Sequence, residues 1–283
     1  MRIGLLFPSI YASPGLFPDK IFAPRELLTD LSGGLVARGH DVTVFSVSDI
    51  ETKAKIVGIS VDGINPPLPY YKFRGADGVH RPVLDSEFAK HQFELDCVIA
   101  AFAAGKSGEL DLIHCYHDSS LFYSHYLNEL FVDIPVVYTL HDPLPPKGSF
   151  EFRELNRFSR QNYVSISQSF RQSELKINFV DTVYHGIDLS LYPLNEKPED
   201  SYLFLGRLVT DKGLHNALAA VKLAGAHLTV SINIPVEGEF NSYYESLKND
   251  LTADYCTVLP VVDKPHRIAL YARAKALLFP IEW

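Results

Sequence analysis

The sequence predicts an α/β protein made of two doubly wound parallel sheets, the second of them incomplete. Three observations carry this. Short apolar runs of strand length alternate with segments of helical periodicity along the whole chain, the pattern of crossover-connected parallel strands. A charged stretch with two prolines, residues 189–200, breaks that alternation and reads as a linker. After it a second strand–helix series begins and stops directly behind an apolar run at Ala276–Pro280. The expected division is a first domain over 1–188, the linker, and a partial second domain over 201–283.

In chain order, Arg2–Phe7 is a buried first strand stopped by Pro8, and residues 8–24, rich in proline and glycine, form a long loop. Leu27, Leu28, Leu31, Leu35 and Val36 give Glu26–Arg38 a helical face, closed by Gly39. Residues 42–47 are a second strand, completing a βαβ unit whose long first loop lies where open α/β sheets bind ligands. Residues 52–84 look irregular and poor in strands. Ser86–Ala104 is a helix with an apolar face of Phe88, Phe93, Leu95, Val98, Ile99 and Phe102. Leu112–Tyr116 is a strand, followed by a helix to about Leu130 with Asp118 or Ser119 as N-cap. Strands follow at 134–140, 162–167 and 180–184. The second series has strands at 202–205, 227–234, 254–260 and 276–280, with helices at 214–224, 239–251 and 265–274.

Composition narrows the function. A hydrophobic content of 47% and a charged content of 21% describe a globular protein, and the net charge of -8 argues against nucleic acid as a main partner. Cys97, Cys115 and Cys256 are scattered without a CxxC spacing and suggest buried thiols in a reducing compartment. The N-terminus has no signal-peptide pattern, and no apolar run approaches the roughly 20 residues of a membrane span. A cytoplasmic location is expected.

The stretch richest in chemistry is Ser201–Gly213, SYLFLGRLVTDKG. A strand runs into Gly206, then Arg207, then Lys212 and Gly213 at the start of a helix. A glycine lets backbone approach an anion closely, a helix N-terminus offers unpaired N–H groups, and Arg207 and Lys212 add full charges. The physical expectation is a diphosphate site, set against two solvated cations beside a turn. His114 and His117, three apart at a strand end, do not converge as metal ligands would on a helix, and no metal is expected.

Six segments in order resemble the retaining, nucleotide-sugar-dependent glycosyltransferases of GT-B fold, family 4 or group 1. They are Gly34–Phe45, Thr139–Asp142, Tyr163–Ser167, Val183–Asp188, the Gly206–Gly213 loop and Ala276–Pro280. The resemblance covers nearly the whole chain and implies two Rossmann-like domains facing a cleft, with the donor mostly on the second and the acceptor on the first. It implies that Arg207 and Lys212, with Gly206, hold the donor diphosphate without a metal or other cofactor. It places His141 near the transferred sugar, with Asp142 orienting it or binding an acceptor hydroxyl. Ser167 and Arg171 fall where the family has polar and basic cleft groups, His117 joins them as a possible cleft contact, and Val261 and Val262 lie where the base is held. His185–Asp188 matches an Asn-Gly-Ile-Asp turn, with histidine for asparagine, and is expected to be structural. Retention in this family needs no protein nucleophile, so no hydrolase-type carboxylate pair is assigned.

The chain departs from the family pattern twice. Paired glycines expected in the first loop are replaced by Phe22–Glu26, where Arg25 can stand in as an anion or acceptor contact. The Glu-Pro-Phe-Gly segment and the ribose-binding glutamate expected after Trp283 do not occur in this sequence. A truncated piece, a natural fragment and one subunit of a split enzyme, completed by a second polypeptide, all fit. The expected function is a retaining hexosyltransferase moving a sugar from a nucleoside diphosphate sugar to an acceptor hydroxyl. The alternatives are a GT-B phosphorylase or epimerase, and a non-catalytic subunit or remnant that binds a partner.

Overall fold

The structure, a computed structural model, describes residues 1–17, 22–61, 83–131, 133–171, 174–233 and 241–282. The chain divides into two compact units, Met1–Ile187 and Asp188–Trp283.

The first unit is built on a seven-stranded sheet of β1 (Arg2–Leu6), β2 (Asp41–Val47), β3 (Lys55–Ile59), β4 (Leu112–Cys115), β5 (Val136–Leu140), β6 (Asn162–Ser165) and β7 (Phe179–Thr182). All neighbours are parallel, in the order β3-β2-β1-β4-β5-β6-β7. The order reverses direction between β1 and β4, and such a switch point opens a crevice beyond the carboxyl ends of those strands. Ile3, Leu5, Leu6, Val44, Phe45, Ile113 and Tyr138 are at most 5% exposed. Parallel strands covered on both faces become continuous apolar runs for this reason, and each such side chain contributes about 1.5–3 kcal/mol.

The covering helices are α1 (Ala23–Ala37), α2 (Val83–Lys106), α3 (Leu121–Phe131) and α4 (Phe150–Arg157). At the end of α1, Gly39 takes a φ of +83° while its N–H donates to the Val36 carbonyl and His40 N–H reaches the Leu35 carbonyl. This Schellman turn needs the left-handed backbone that glycine adopts without strain.

The second unit has β8 (Ser201–Leu205), β9 (His227–Ser231) and β10 (Cys256–Leu259), parallel in the order β10-β9-β8. Around them lie α5 (Leu214–Ala224), α6 (Ser242–Leu251) and α7 (Lys264–Arg273). Phe204, Leu214, Leu218, Leu228, Val230 and Ile232 form its core.

Several expectations are corrected. Residues 55–59 are not irregular but form β3 at the sheet edge, where Lys55, Ile56 and Val57 are exposed, so no buried alternation marks it. The helix α4 was not foreseen; only Leu155 of it is buried, and its start is fixed by Ser149, whose hydroxyl accepts from Phe152 N–H at 3.0 Å. The buried face of α2 runs through Phe93, Cys97, Val98, Ala101 and Phe102, whereas Phe88 is 71% and Ile99 49% exposed. The four-residue steps from 93 to 97 to 101 and from 98 to 102 keep one face; Phe88 and Ile99 fall off it. The strand expected over 276–280 is reduced to one bridge, Leu203 to Leu277, and Pro280 has no N–H with which to extend the ladder. The expected strand at 227–234 ends at Ser231, and residue 234 lies outside the described residues, as do 239 and 240 of the expected helix. Cys97 and Cys115 are buried and Cys256 is half-buried; all three are free thiols. No helix among the described residues is long and apolar enough to cross a membrane.

Candidate functional site

In the first unit the chemistry collects beyond the carboxyl ends of β4 and β5. Each strand runs into the same dipeptide, His117–Asp118 after β4 and His141–Asp142 after β5. Tyr116 N–H donates to Leu6 carbonyl, and the Phe7 ring meets His117 edge-on at 4.8 Å, so the end of β1 closes one side. The His141 ring stacks on His185 at 5.2 Å with an interplanar angle of 11°, and stands perpendicular to Tyr116 at 4.7 Å. His114 sits one layer below, with Nε2 2.8 Å from the Thr139 hydroxyl.

Burial governs the charge of this group. It lowers His114, His117 and His141 to about 4, with smaller contributions from neighbouring histidines, and it lowers His185. The imidazoles are neutral at pH 7. His141 Nε2 is buried without a hydrogen-bond partner among the described residues, leaving an unsatisfied polar atom beside the end of β5. A neutral imidazole there can meet a developing positive charge without repulsion.

Asp118 has the opposite shift. Burial first, then the Asp142 charge and a hydrogen bond with Asp142, push it up to about 7. A carboxyl group beside another carboxylate holds its proton more tightly than one in water. Asp118 also accepts from His141 N–H at 3.5 Å, tying the two strand ends together. The expected N-cap is corrected here: His117 fills it, its Nδ1 accepting from Ser119 N–H at 3.1 Å, while Asp118 faces the β5 end.

His141, Asp142 and His117 thus come together with Tyr116, Asp118 and His185. Arg25 lies half-buried in the first turn of α1, three residues after Phe22, whose ring is 6.2 Å from His117. Ser167 is held within its own loop, and Arg171 against β6 and β7. The Ser167 hydroxyl bonds Ser169 at 2.7 Å, and the Arg171 guanidinium donates to Ser165 at 3.3 Å and lies over Phe179. Asp118 and His185 were not foreseen as site residues. The repeated His-Asp dipeptide at two adjacent strand ends was the signal for Asp118.

In the second unit, Gly206, Arg207 and Lys212 follow the carboxyl end of β8. Residues 210–212 make one 3-10 turn and Gly213 opens α5. A Cβ on Gly206 would stand 3.4 Å from the Phe204 ring and 3.8 Å from Lys212 Cβ, so Gly206 and Lys212 are adjacent. Arg207 is exposed, and Lys212 Nζ lies 5.7 Å from the centre of the Phe279 ring. The close approach belongs to Gly213. Its φ is +71° and a Cβ there would stand 1.8 Å from the Pro280 carbonyl oxygen. The backbone at 280–282 crosses the start of α5 and is fixed by Glu282, whose N–H donates to Asp211 carbonyl and whose carboxylate pairs with His215. Val261 and Val262 are half-buried beyond β10, at the same carboxyl edge of this sheet as Arg207.

Residues 26–191 match the model of the family described as Glycosyltransferase Family 4. Among solved structures, HepE of Anabaena, in complex with UDP and glucose, is 17% identical with a TM-score of 0.60, covering 99% of this chain and 74% of its own. AviGT4, a glycosyltransferase involved in avilamycin A biosynthesis, is 16% identical with a TM-score of 0.60, over 100% and 69%. The catalytic domain of starch synthase IV from Arabidopsis thaliana, bound to ADP and acarbose, is 15% identical with a TM-score of 0.60, over 100% and 78%. No curated protein matches the chain in sequence. The fold class is GT-B, with two Rossmann-like units, and the chain spans 69% to 78% of the length of these neighbours.

Proposed function

The chain belongs to glycosyltransferase family 4, and from that premise we propose that it transfers a hexosyl group from a nucleoside diphosphate sugar to an acceptor hydroxyl with retention. The family match over 26–191 carries the reading, and the UDP- and ADP-bound structural neighbours support the donor class. Residues 1–188 serve the acceptor side and 201–283 the donor, joined by 189–200.

In this reading Arg207 and Lys212 hold the diphosphate at the turn that opens α5. As the bond from the sugar to the phosphate oxygen breaks, charge grows on the diphosphate, and cations already in place stabilise it without reorganisation. His141, neutral and with Nε2 unpaired among the described residues, contacts the sugar as positive charge develops on it. The acceptor oxygen bonds to the anomeric carbon from the leaving-group side, and its proton passes to the departing diphosphate. Asp142, coupled to Asp118, orients the acceptor hydroxyl. The solved neighbours are covered to between 69% and 78%; we propose that a further segment, in the same polypeptide or a second one, supplies the remaining donor contacts.

The experiment is transfer from UDP-, ADP- and GDP-hexoses, read as nucleoside diphosphate release, with the product's anomeric configuration assigned by proton NMR. Retained configuration is expected. Inversion, or no release from any donor by the purified native assembly, overturns the reading.

A further inference from the structure

Beside the β5 end the first unit holds a preformed cavity of about 180 Å³ between α3 and α4, of whose lining the proposed chemistry uses only Asp118 and Asp142. Leu121 and Phe122 wall it on one side, Leu155 on the other, and Leu140, Pro143 and Leu144 close it. The proline-rich loop 143–146 has little freedom to collapse into the space, because each ring fixes its own φ and restricts the residue before it. Asp118 and Asp142 also line it, so the cavity opens onto the carboxyl pair next to His141. Taking the glycosyltransferase reading as given, we propose that this cavity holds the body of the acceptor, and that the acceptor is an uncharged apolar alcohol with a ring of about phenol size.

Size, wall chemistry and charge each bear on the choice. Apolar cavities of roughly 150 Å³ take up a benzene ring in other proteins. A sugar ring in this space would bury several hydroxyls against leucine and proline, and each unpaired hydroxyl weakens binding. Two polar side chains of the wall already have partners: the His125 ring pairs with the Tyr163 hydroxyl at 3.0 Å, and Glu154 accepts from the Tyr126 hydroxyl at 2.9 Å. What remains is the Asp118–Asp142 pair and Glu151, on the exposed first turn of α4. Carboxyl groups accept from a hydroxyl and repel phosphate or carboxylate, so an acidic acceptor is excluded. Burial holds His125 uncharged, so it adds no cation to the wall. At the mouth the Phe122 and Phe150 rings stack at 5.7 Å with both partly exposed, extending the apolar surface outward for a larger aglycone.

Saturation-transfer NMR on the whole protein with phenol and cyclohexanol, and with glucose and benzoate as contrasts, tests this. Phenol and cyclohexanol are expected to bind, and the two contrasts are not. Leu144→Trp, which fills the cavity from a loop position, is expected to weaken phenol binding at least about tenfold, with UDP, ADP and GDP affinities and melting temperature unchanged. Leu144→Ser is expected to weaken it too, by making the wall polar. Phenol binding that is absent, or indifferent to both substitutions, overturns the proposal, as does glucose or benzoate competing at the same place. Loss of all nucleoside diphosphate binding in the wild-type protein would instead count against the glycosyltransferase reading, so the two failures are distinct.

Discussion

The end of β5 and the turn before α5 are built on opposite principles. At the first, side chains carry the chemistry and burial sets their state: His141 is packed between Tyr116 and His185 and held neutral, and Asp118 is pushed up to about 7 by burial first and by Asp142 second. At the second, backbone geometry carries the shape and the charge stands outside. Gly213 lets the Pro280 carbonyl cross the helix start, while Arg207 lies exposed. A desolvated site keeps its strength in salt and loses it in acid. An exposed cation on a fixed turn behaves the other way, being screened by salt and indifferent to pH below its high pKa.

The largest expected effect breaks the backbone half of that contrast. Gly213→Ala places a Cβ against a backbone oxygen at positive φ and should destabilise the second unit by ~2–3 kcal/mol, read as a lower melting transition. An unchanged transition would mean that the 280–282 segment moves aside freely. Next, His141→Ala should cut transfer about a hundredfold while leaving nucleoside diphosphate affinity intact; loss of affinity instead would deny the division of labour. Arg207→Ala should weaken nucleoside diphosphate binding about tenfold, ~1.4 kcal/mol, and should flatten its dependence on salt.

The smallest effect is the response of stability to pH. His114, His117 and His141, lowered to about 4, and His125, lowered to about 3, bind protons in the unfolded chain near pH 6.5 but not in the fold. The unfolded state therefore binds more protons over that interval, and stability falls as pH drops from about 6.5 toward 4. Asp118, raised to about 7, works against this, since below that value the folded state holds an extra proton. One carboxyl group offsets only part of four imidazoles. Urea denaturation followed from pH 7 to 4.5 should show the first unit weakening, and a flat or rising profile would contradict the neutral-histidine account.

Legibility in the sequence followed burial. Strands such as β1 and β8 are unbroken apolar runs, and α5 is bounded by Gly213 and Gly225, so pattern and terminators agreed. The edge strand β3 was missed because it keeps most of its side chains in water, which leaves periodicity nothing to sort, and the helix α4 because it has only eight residues, about two turns, with Leu155 alone buried. In the candidate site the cations and His141 were visible as residue types next to strand ends. The Asp118–Asp142 pairing was not, because it joins the ends of β4 and β5, adjacent in the sheet but 24 residues apart in sequence. Nor was the α3–α4 cavity, since one of its walls is the helix that periodicity did not reveal.

The division between charge-binding on the second unit and sugar chemistry on the first is best checked by isothermal titration of UDP, ADP and GDP. The wild-type protein, Arg207→Ala and His141→Ala would be compared at low and moderate salt. The account predicts that at least one nucleotide binds the wild-type protein and binds His141→Ala equally well, but binds Arg207→Ala about tenfold more weakly. Equal affinity for the wild-type protein and Arg207→Ala would contradict it.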